Sequence, residues 1–206
     1  MSEFNRQAHW QKAYKEKGER QVSWFQEKPA ISLELIHGVG AKPNSAIIDI
    51  GGGASRLVDV LVSAGYRDLT VLDLSDNAIA ITRSRLAERA VLVKWIVADV
   101  TEWEPSRQYD LWHDRAALHF LTEAADRAAY LDRLVQAIRP GGHAIIGTFA
   151  IDGPERCSGL PVMRYDATLL SAVLGPAFGL IGTRRHDHTT PTGGLQRFLF
   201  SVFRRV

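Results

Sequence analysis

The sequence predicts an α/β protein built on a doubly wound, mostly parallel seven-stranded sheet, and three observations lead to this fold class. Short apolar runs alternate with segments of helical periodicity from Ala46 to Phe149, which is typical of repeated βαβ units. The first apolar run ends at three consecutive glycines. At the end of the chain, two extended runs flank Pro-Thr-Gly-Gly at 191–194, which predicts a C-terminal antiparallel hairpin.

The first 45 residues are predicted to form an N-terminal helical cap, or lid, in front of the sheet. Trp10 and Tyr14 lie four residues apart in a polar segment and therefore share one helical face. Pro29 opens a second helix, which a Lys-Pro-Asn break ends. The chain is thus expected to be one structural unit with two parts, the cap (1–45) and the sheet unit (46–206).

Capping and turn residues mark the ends of the elements in the sheet unit. Ser75 and Asp166 are N-cap signals, and Gly65 is a C-cap signal. The predicted elements are, in chain order, strand 46–50, helix 55–64, strand 69–74, helix 75–90, strand 91–97, strand 109–113, helix 122–138, strand 143–149, helix 166–174 and the extended runs 178–190 and 195–205.

The composition excludes several classes of protein. Of 206 residues, 46% are hydrophobic and 23% are charged, which is typical of a globular protein with a sizeable core. The net charge of +2 argues against a nucleic-acid partner, and the single cysteine excludes a disulfide framework. No apolar run is long enough for a membrane span or a signal sequence. We therefore expect a cytoplasmic monomer or homodimer with no membrane partner.

Three carboxylates and a glycine turn lie where an open parallel sheet binds its ligands. Asp49 and the glycines 51–53 end the first predicted strand, Asp73 ends the second, and Asp99 follows the third. Ligands bind at the carboxyl ends of such strands, and glycine permits close approach of the backbone. Asp73 is placed to hold ribose hydroxyls, and Asp99 to meet an adenine amino group. Each carboxylate alone is equally well explained as a solvated loop residue.

A nicotinamide dinucleotide is an alternative ligand for such a turn. Its fingerprint requires a third glycine at position 56, where this chain has Arg56. The cap also leaves little chain for a separate substrate domain. The pattern therefore disfavours a dinucleotide enzyme.

From residue 46 to residue 206 the chain resembles the class I, seven-strand S-adenosylmethionine (SAM)-dependent methyltransferases, which have a Rossmann-like fold. The matching motifs are Asp49-x-Gly51-x-Gly53, Asp73, Asp99-Val100, the run from Tyr109 to Asp114, and Pro140-Gly141-Gly142. A third glycine is common where this chain has Ser55, a small residue that keeps the backbone accessible. The resemblance implies cofactor contacts from Asp49, Gly51, Gly52, Gly53, Asp73, Leu74, Asp99, Val100 and His113.

The cap resembles the lid of small methyltransferases near the elongation-factor and citrate-synthase lysine methyltransferases. The matching residues are Trp10, Tyr14 and Lys17, followed by the run 22–26, Val-Ser-Trp-Phe-Gln. The resemblance implies that Tyr14 and Trp24 cover the cofactor, because methyl transfer requires water to be kept from a cationic sulfonium. Amphipathic packing is the simpler interpretation of Trp10.

Candidate catalytic residues surround the end of the fourth predicted strand. They are His113, Asp114 and His119. The alternative for Asp114 is a structural ion pair with Arg115, and the alternative for His119 is a histidine packed in the core. Lysine methyltransferases of the neighbouring groups tend to have Asp-Lys-Gly-Thr here, whereas residues 114–117 are Asp-Arg-Ala-Ala, which also resembles the thiopurine methyltransferase group.

Candidate acceptor contacts are Arg115, Cys157 and Tyr165, the last two in or after a Gly/Pro-rich loop that follows the fifth strand. A pocket wall is a simpler role for Cys157 than a nucleophile, since methyl transfer needs no covalent intermediate. His186 and His188 share one face of an extended run, but a third ligand is not evident, so we expect no metal site.

The sequence therefore predicts a SAM-dependent methyltransferase that acts on a small-molecule thiol, oxygen or nitrogen nucleophile and releases S-adenosylhomocysteine. A protein-lysine acceptor is the alternative within enzymes. A SAM-binding sensor or partner subunit without catalysis is the alternative from another class.

Overall fold

The computed structural model of the chain describes residues 5–16 and 18–206. Residues 1–4 of the predicted cap, and Lys17 of its aromatic pattern, lie outside the described residues. The strands are β1 Ala46–Ile50, β2 Asp68–Asp73, β3 Val93–Val97, β4 Tyr109–Arg115, β5 Ile138–Phe149, β6 Arg156–Cys157, β7 Leu160–Pro161, β8 Phe178–Thr189 and β9 Leu195–Arg205. The α-helices are α1 Arg6–Glu16, α2 Ala30–Gly38, α3 Leu57–Ser63, α4 Asp76–Leu86, α5 Ala124–Ala137 and α6 Ala167–Leu174.

Seven of these strands form one sheet in the order β3-β2-β1-β4-β5-β9-β8. The strand pairs β3–β2, β2–β1, β1–β4 and β4–β5 are parallel, whereas β9 pairs antiparallel with both β5 and β8. This confirms the predicted fold class, including the closing hairpin. The strand order reverses between β1 and β4, and the crevice at such a switch point is where ligands bind.

Several element boundaries differ from the prediction, and three of the differences have a local cause. Val91 and Leu92 belong to a 3-10 segment and are exposed, so β3 begins at Val93. The Ser55 hydroxyl accepts a hydrogen bond from the Leu57 amide (3.0 Å), so the third helix begins two residues later than predicted. At Ile138 the backbone is already extended and pairs with β4, so β5 includes the predicted turn 140–142.

The sheet is covered on both faces by apolar side chains. Ile48, Trp112 and Leu134 belong to one buried cluster, and Ile47 and Val71 belong to the other. β1 is buried along its whole length, as a central parallel strand must be. A β6–β7 hairpin of two-residue strands was not predicted.

A third, smaller cluster joins the cap to the sheet unit. Tyr14 and Val22 of the cap are buried there against Ala54 and Ala78. Among the described helices, none combines the length and the apolarity that crossing a bilayer would require.

Candidate functional site

A cavity lies at the carboxyl ends of the parallel strands, under the cap. Its lining includes Asp73, Leu74, Asp99 and Val100 from the ends of β2 and β3. A second cavity adjoins it, and Gly51 lines both. The structure thus brings these predicted strand-end residues to one site.

The glycine turn after β1 has a conformation and a crowding that require glycine. Gly51 has φ +66°, a left-handed conformation that side chains rarely adopt. A Cβ added to Gly52 would lie 2.6 Å from Cγ of Asp49, closer than carbon atoms can approach. The turn therefore leaves its backbone open to the cavities.

Asp73 is held in one orientation at the end of β2. One carboxylate oxygen accepts the Gly53 amide (2.9 Å) and the other accepts the Ser75 amide (2.7 Å). Burial, together with the nearby charge of Asp49, raises the pKa of Asp73 to about 6. Asp73 lines the main cavity, and a carboxylate there suits a ligand that donates hydrogen bonds.

Asp99 connects the far end of the cavity to the cap. Its Oδ1 accepts hydrogen bonds from the amide and the hydroxyl of Thr101 (2.9 and 2.7 Å). Its Oδ2 pairs with the Arg6 guanidinium (3.0 Å), which also contacts Asp126. Arg6 was not singled out from the sequence, because its partners are brought to it only by the fold.

The aromatic residues of the cap form a wall of the cavity, as predicted for Tyr14 and Trp24. The Trp24 indole N–H donates to the Tyr14 hydroxyl (3.0 Å), and burial keeps that phenol neutral by raising its pKa. Trp10 packs edge-on against Trp24 and Phe120, with ring centroids 5.5 and 4.9 Å away. Trp10 both packs against these two rings and lines the cavity.

Two further polar residues of the cap fix it in place. The Gln11 side chain contacts the Ser75 hydroxyl and accepts the Asn77 amide (3.0 and 3.1 Å). Glu19 pairs with Arg56 (2.6 Å) and with Arg85. Gln11 and Glu19, which were not singled out from the sequence, hold the cap against α3 and α4.

A hydrogen-bonded chain of Asp49, His113 and Ser32 lines the second cavity. His113 Nδ1–H donates to Asp49 Oδ1 (2.6 Å), and the Nε2 atom lies 2.9 Å from the Ser32 hydroxyl. The other oxygen of Asp49, Oδ2, is buried and has no hydrogen-bond partner among the described residues. Predicted cofactor residues Asp49 and His113 are thus together, and Ser32 joins them unpredicted.

Arg115 supplies a positive charge between the two cavities and lines both. Its Nη1 donates to the Trp24 carbonyl (2.9 Å), and its guanidinium lies 5.0 Å from the Phe198 ring centroid. Burial lowers its pKa to about 10, so it stays charged at neutral pH. Its Nε and Nη2 are buried without a hydrogen-bond partner in the described part of the chain. Such groups are costly unless a ligand pairs with them.

Asp114 is fully buried and accepts three hydrogen bonds. The donors are the amides of Ala117 and Leu118 (2.8 and 3.0 Å) and the Tyr130 hydroxyl (2.7 Å), and burial raises the pKa of Asp114 to about 6. Among the described ion pairs, none joins Asp114 to Arg115. The geometry gives Asp114 a structural role and leaves its catalytic role a prediction.

His119 is also buried, between the rings of Phe120 and Phe149 at centroid distances of 4.4 and 4.7 Å. Burial and the Arg115 charge lower its pKa to about 3, so the ring is neutral. Neither His119 nor Asp114 is among the described residues that line the two cavities. This is the packed histidine of the alternative interpretation, and a catalytic His119 stays a prediction.

The predicted acceptor residues separate in the structure. Cys157 lines the main cavity, where burial raises the pKa of the thiol to about 11. Tyr165 is buried in the Ile48 cluster and does not appear in the described lining of either cavity. Both assignments stay predictions.

The two histidines of β8 contact the cap loop. His188 Nε2 lies 2.8 Å from the Ser23 carbonyl, and His186 Nε2 lies 3.3 Å from the Gln26 amide nitrogen. Among the described residues, no three His, Cys, Asp or Glu side chains are grouped so that they could hold a metal ion.

Comparison with known proteins supplies the family. Residues 47–142 match the model of a family described as methyltransferase domain. This part of the chain is similar to that family of methyltransferase domains. This confirms the resemblance stated from the motifs, and the match covers the glycine turn and the ends of β2, β3 and β4.

The methyltransferase domain also has curated relatives. Nodulation protein S of Sinorhizobium fredii (strain NBRC 101917 / NGR234) is 32% identical over 127 residues, covering 62% of this chain and 56% of that protein. The eEF1A lysine and N-terminal methyltransferase of Homo sapiens is 26% identical over 142 residues, covering 66% of this chain and 20% of that protein. The chain thus spans about half the length of the nodulation proteins and a smaller share of the lysine methyltransferases.

Solved structures share the fold of the methyltransferase domain. The N-methyltransferase NodS of Bradyrhizobium japonicum, in complex with S-adenosylhomocysteine, has a TM-score of 0.72 at 18% identity and covers 98% of this chain and 99% of its own. The 1,6-didemethyltoxoflavin-N1-methyltransferase of Burkholderia thailandensis has a TM-score of 0.69 at 22% identity and covers 94% of this chain and 81% of its own. At 18% and 22% sequence identity, the similarity to these two structures establishes the shared fold only.

Proposed function

We propose that this chain is a SAM-dependent methyltransferase that transfers a methyl group to a small-molecule sulfur, oxygen or nitrogen nucleophile and releases S-adenosylhomocysteine. The observation that carries the proposal is the pair of unpartnered opposite charges, Asp49 Oδ2 and Arg115 Nε and Nη2, that line one cavity. An α-amino acid presents an ammonium and a carboxylate to match them.

The other cavity completes the fit to this cofactor. We assign Asp73 to the ribose hydroxyls, and Asp99 with Val100 to the adenine, because these residues line the main cavity beyond the glycine turn. A dinucleotide fits less well, since its pyrophosphate is anionic and would face the carboxylates of Asp49 and Asp73. The combination of a nucleoside cavity with an amino-acid cavity is what SAM requires.

SAM supplies an activated methyl group on a sulfonium with a neutral leaving group. The chain then has to align the acceptor and exclude water. Trp10, Tyr14 and Trp24 form an aromatic wall whose faces suit a cation. Cys157 and Tyr14 are kept neutral by burial, so the wall adds no charge next to the reacting atoms.

The relatives support a small-molecule acceptor more than a protein. One solved neighbour is named for N1-methylation of 1,6-didemethyltoxoflavin, a small molecule. A lysine ammonium, with its usual pKa near 10.4, must lose a proton before it attacks. The neutral, packed His119 is poorly placed for that step. The likeness to the eEF1A lysine methyltransferases keeps a protein acceptor as the second candidate.

We also propose that the chain works in the cytoplasm, as a monomer or homodimer and without a nucleic-acid partner. The single, free Cys157 suits a reducing compartment. A net charge of +2 gives little attraction for a polyanion.

The acceptor class can be tested by labelled methyl transfer. The purified chain is incubated with methyl-labelled SAM and a cell extract that has been divided into protein and small-molecule fractions, and Asp73→Asn is the matched control. We expect label in the small-molecule fraction only, and only with the unmodified chain. Label confined to protein supports the lysine alternative, and no label despite tight S-adenosylhomocysteine binding supports a non-catalytic sensor.

The raised pKa of Asp73 predicts a pH dependence of cofactor binding. Ribose hydroxyls that donate to Asp73 stabilise its ionised form and lower its pKa in the complex. The affinity for S-adenosylhomocysteine should therefore rise with pH through about pH 6, by up to about tenfold per pH unit below that value. Calorimetry from pH 5 to pH 8 measures it.

The control for this pH dependence is Asp73→Asn, which cannot ionise. Its affinity should be lower by about 1–3 kcal/mol at pH 7.5 and nearly flat with pH. A steep pH dependence that survives in Asp73→Asn would assign the titration to another group and contradict the ribose assignment.

A further inference from the structure

Asp49, His113 and Ser32 are linked by two hydrogen bonds, although a carboxylate could contact a cofactor without such partners. All three residues are buried, with exposed fractions of 0%, 2% and 4%. Asp49 and His113 are opposite each other in the parallel pair β1–β4, which fixes their separation. Ser32 comes from α2 in the cap, so one hydrogen bond of the chain joins the cap to the sheet.

The direction of the hydrogen bonds follows from the chemistry of the groups. A carboxylate oxygen accepts hydrogen bonds, so His113 Nδ1–H is the donor of the 2.6 Å bond to Asp49. The other ring nitrogen, Nε2, lies 2.9 Å from the Ser32 hydroxyl, which can donate or accept. Ser32 thus holds the ring in the orientation in which Nδ1 faces Asp49.

The same three residue types form the triad of serine hydrolases, but here the functional end is reversed. In a hydrolase the serine faces the substrate and the carboxylate is buried behind the histidine. In this chain all three residues line the second cavity, but Ser32 and His113 are hydrogen-bonded to each other, whereas Asp49 Oδ2 has no hydrogen-bond partner among the described residues. The atom left to bind a ligand is therefore a carboxylate oxygen and not the serine hydroxyl.

We infer that Ser32 and His113 are positioning residues that hold the Asp49 carboxylate in place to receive the ammonium of the cofactor's amino-acid end, and that Ser32 makes this recognition depend on a closed cap. The inference rests on the proposed function. The Asp49 carboxylate has little room to move. It lies so close to Gly52 that an added Cβ would be 2.6 Å from its Cγ, and its Oδ1 is hydrogen-bonded to His113.

The test compares two ligands that share the adenosine part. S-adenosylhomocysteine carries the amino-acid end, whereas 5′-methylthioadenosine lacks it. Affinities are measured by calorimetry for the unmodified chain, Ser32→Ala, His113→Leu and His113→Asn. Leucine removes the donor to Asp49, and asparagine retains an N–H near the position of Nδ1.

We expect His113→Leu to weaken S-adenosylhomocysteine binding by about tenfold or more and methylthioadenosine binding by less than about twofold. His113→Asn should recover part of the loss, and Ser32→Ala should show a smaller loss, about threefold, again confined to S-adenosylhomocysteine. Thermal melting of each variant checks that it is folded. If His113→Leu does not fold, the test rests on Ser32→Ala, in which the affinity for S-adenosylhomocysteine should fall and the affinity for methylthioadenosine should not.

Equal weakening of both ligands, or no change in either, would overturn the positioning role. If the cavities do not bind the cofactor at all, the result differs, because the unmodified chain then binds neither S-adenosylhomocysteine nor methylthioadenosine. If the chain binds both ligands but transfers no methyl group, the transferase activity fails and the positioning role stands.

Discussion

Replacing Asp114 with alanine is expected to lower the free energy of unfolding by about 3 kcal/mol or more. The carboxylate accepts from two amides and from the Tyr130 hydroxyl, and its loss leaves those three donors buried and unpaired. Each unpaired buried donor costs about 1–3 kcal/mol, against a total stability of about 5–15 kcal/mol for a typical domain. Urea denaturation followed by circular dichroism measures the change.

Asp114→Asn is the matched control for this prediction. It retains one acceptor oxygen and the shape of the side chain, so we expect a smaller loss, about 1–2 kcal/mol. A catalytic Asp114 would behave differently. An Asp114→Ala variant that keeps its full stability and its cofactor affinity but loses methyl transfer would contradict the structural role and restore the catalytic one.

Gly52→Ala is expected to weaken S-adenosylhomocysteine binding by about ten- to a hundredfold. The added Cβ would lie 2.6 Å from Cγ of Asp49, so the carboxylate must move away from its bond to His113. Overpacking of this kind costs about 1–3 kcal/mol, and here the cost falls on the residue assigned to the cofactor's ammonium. Calorimetric titration measures the loss.

Gly182→Ala is the matched control, since its added Cβ would meet no described atom within 4 Å. It makes the same chemical change on β8, far along the sheet from the cavity in strand order. We expect its affinity to equal that of the unmodified chain. If Gly52→Ala bound the ligand as tightly as Gly182→Ala, the turn would not be part of the binding site.

Most of the fold could be predicted because the signals are local. The apolar runs that became β1 and β2 are short and bounded by glycines or caps, and the side chain of Ser75 does cap α4, by accepting the Ala78 amide. The start of β5 was missed because Ile138 pairs with Tyr109 ahead of the turn signal, and residues 139–142 bulge between that pair and the next, with Gly141 at φ +78°.

The candidate site was predictable where the strand ends determine it. Asp73 and Asp99 reach the cavity because parallel strands present their carboxyl ends to one edge of the sheet. The same logic does not reveal Arg6 or Ser32, whose partners are brought together only when the cap packs on the sheet. An isolated serine in an apolar helix has no local signal of its role.

Side-chain direction is the other feature that the sequence does not reveal. Asp114 and Arg115 are adjacent at the end of β4, and strand geometry sends them to opposite sides. Asp114 turns into the core and Arg115 lines the cavities. Residue type alone made both candidates for the site, and only the structure separates them.

Calorimetric titration with S-adenosylhomocysteine decides whether the two adjoining cavities bind SAM. We expect saturable binding with one ligand per chain, reduced in Asp73→Asn and in Gly52→Ala but not in Gly182→Ala. Absence of S-adenosylhomocysteine binding, with tight binding of a nicotinamide dinucleotide under the same conditions, would contradict it.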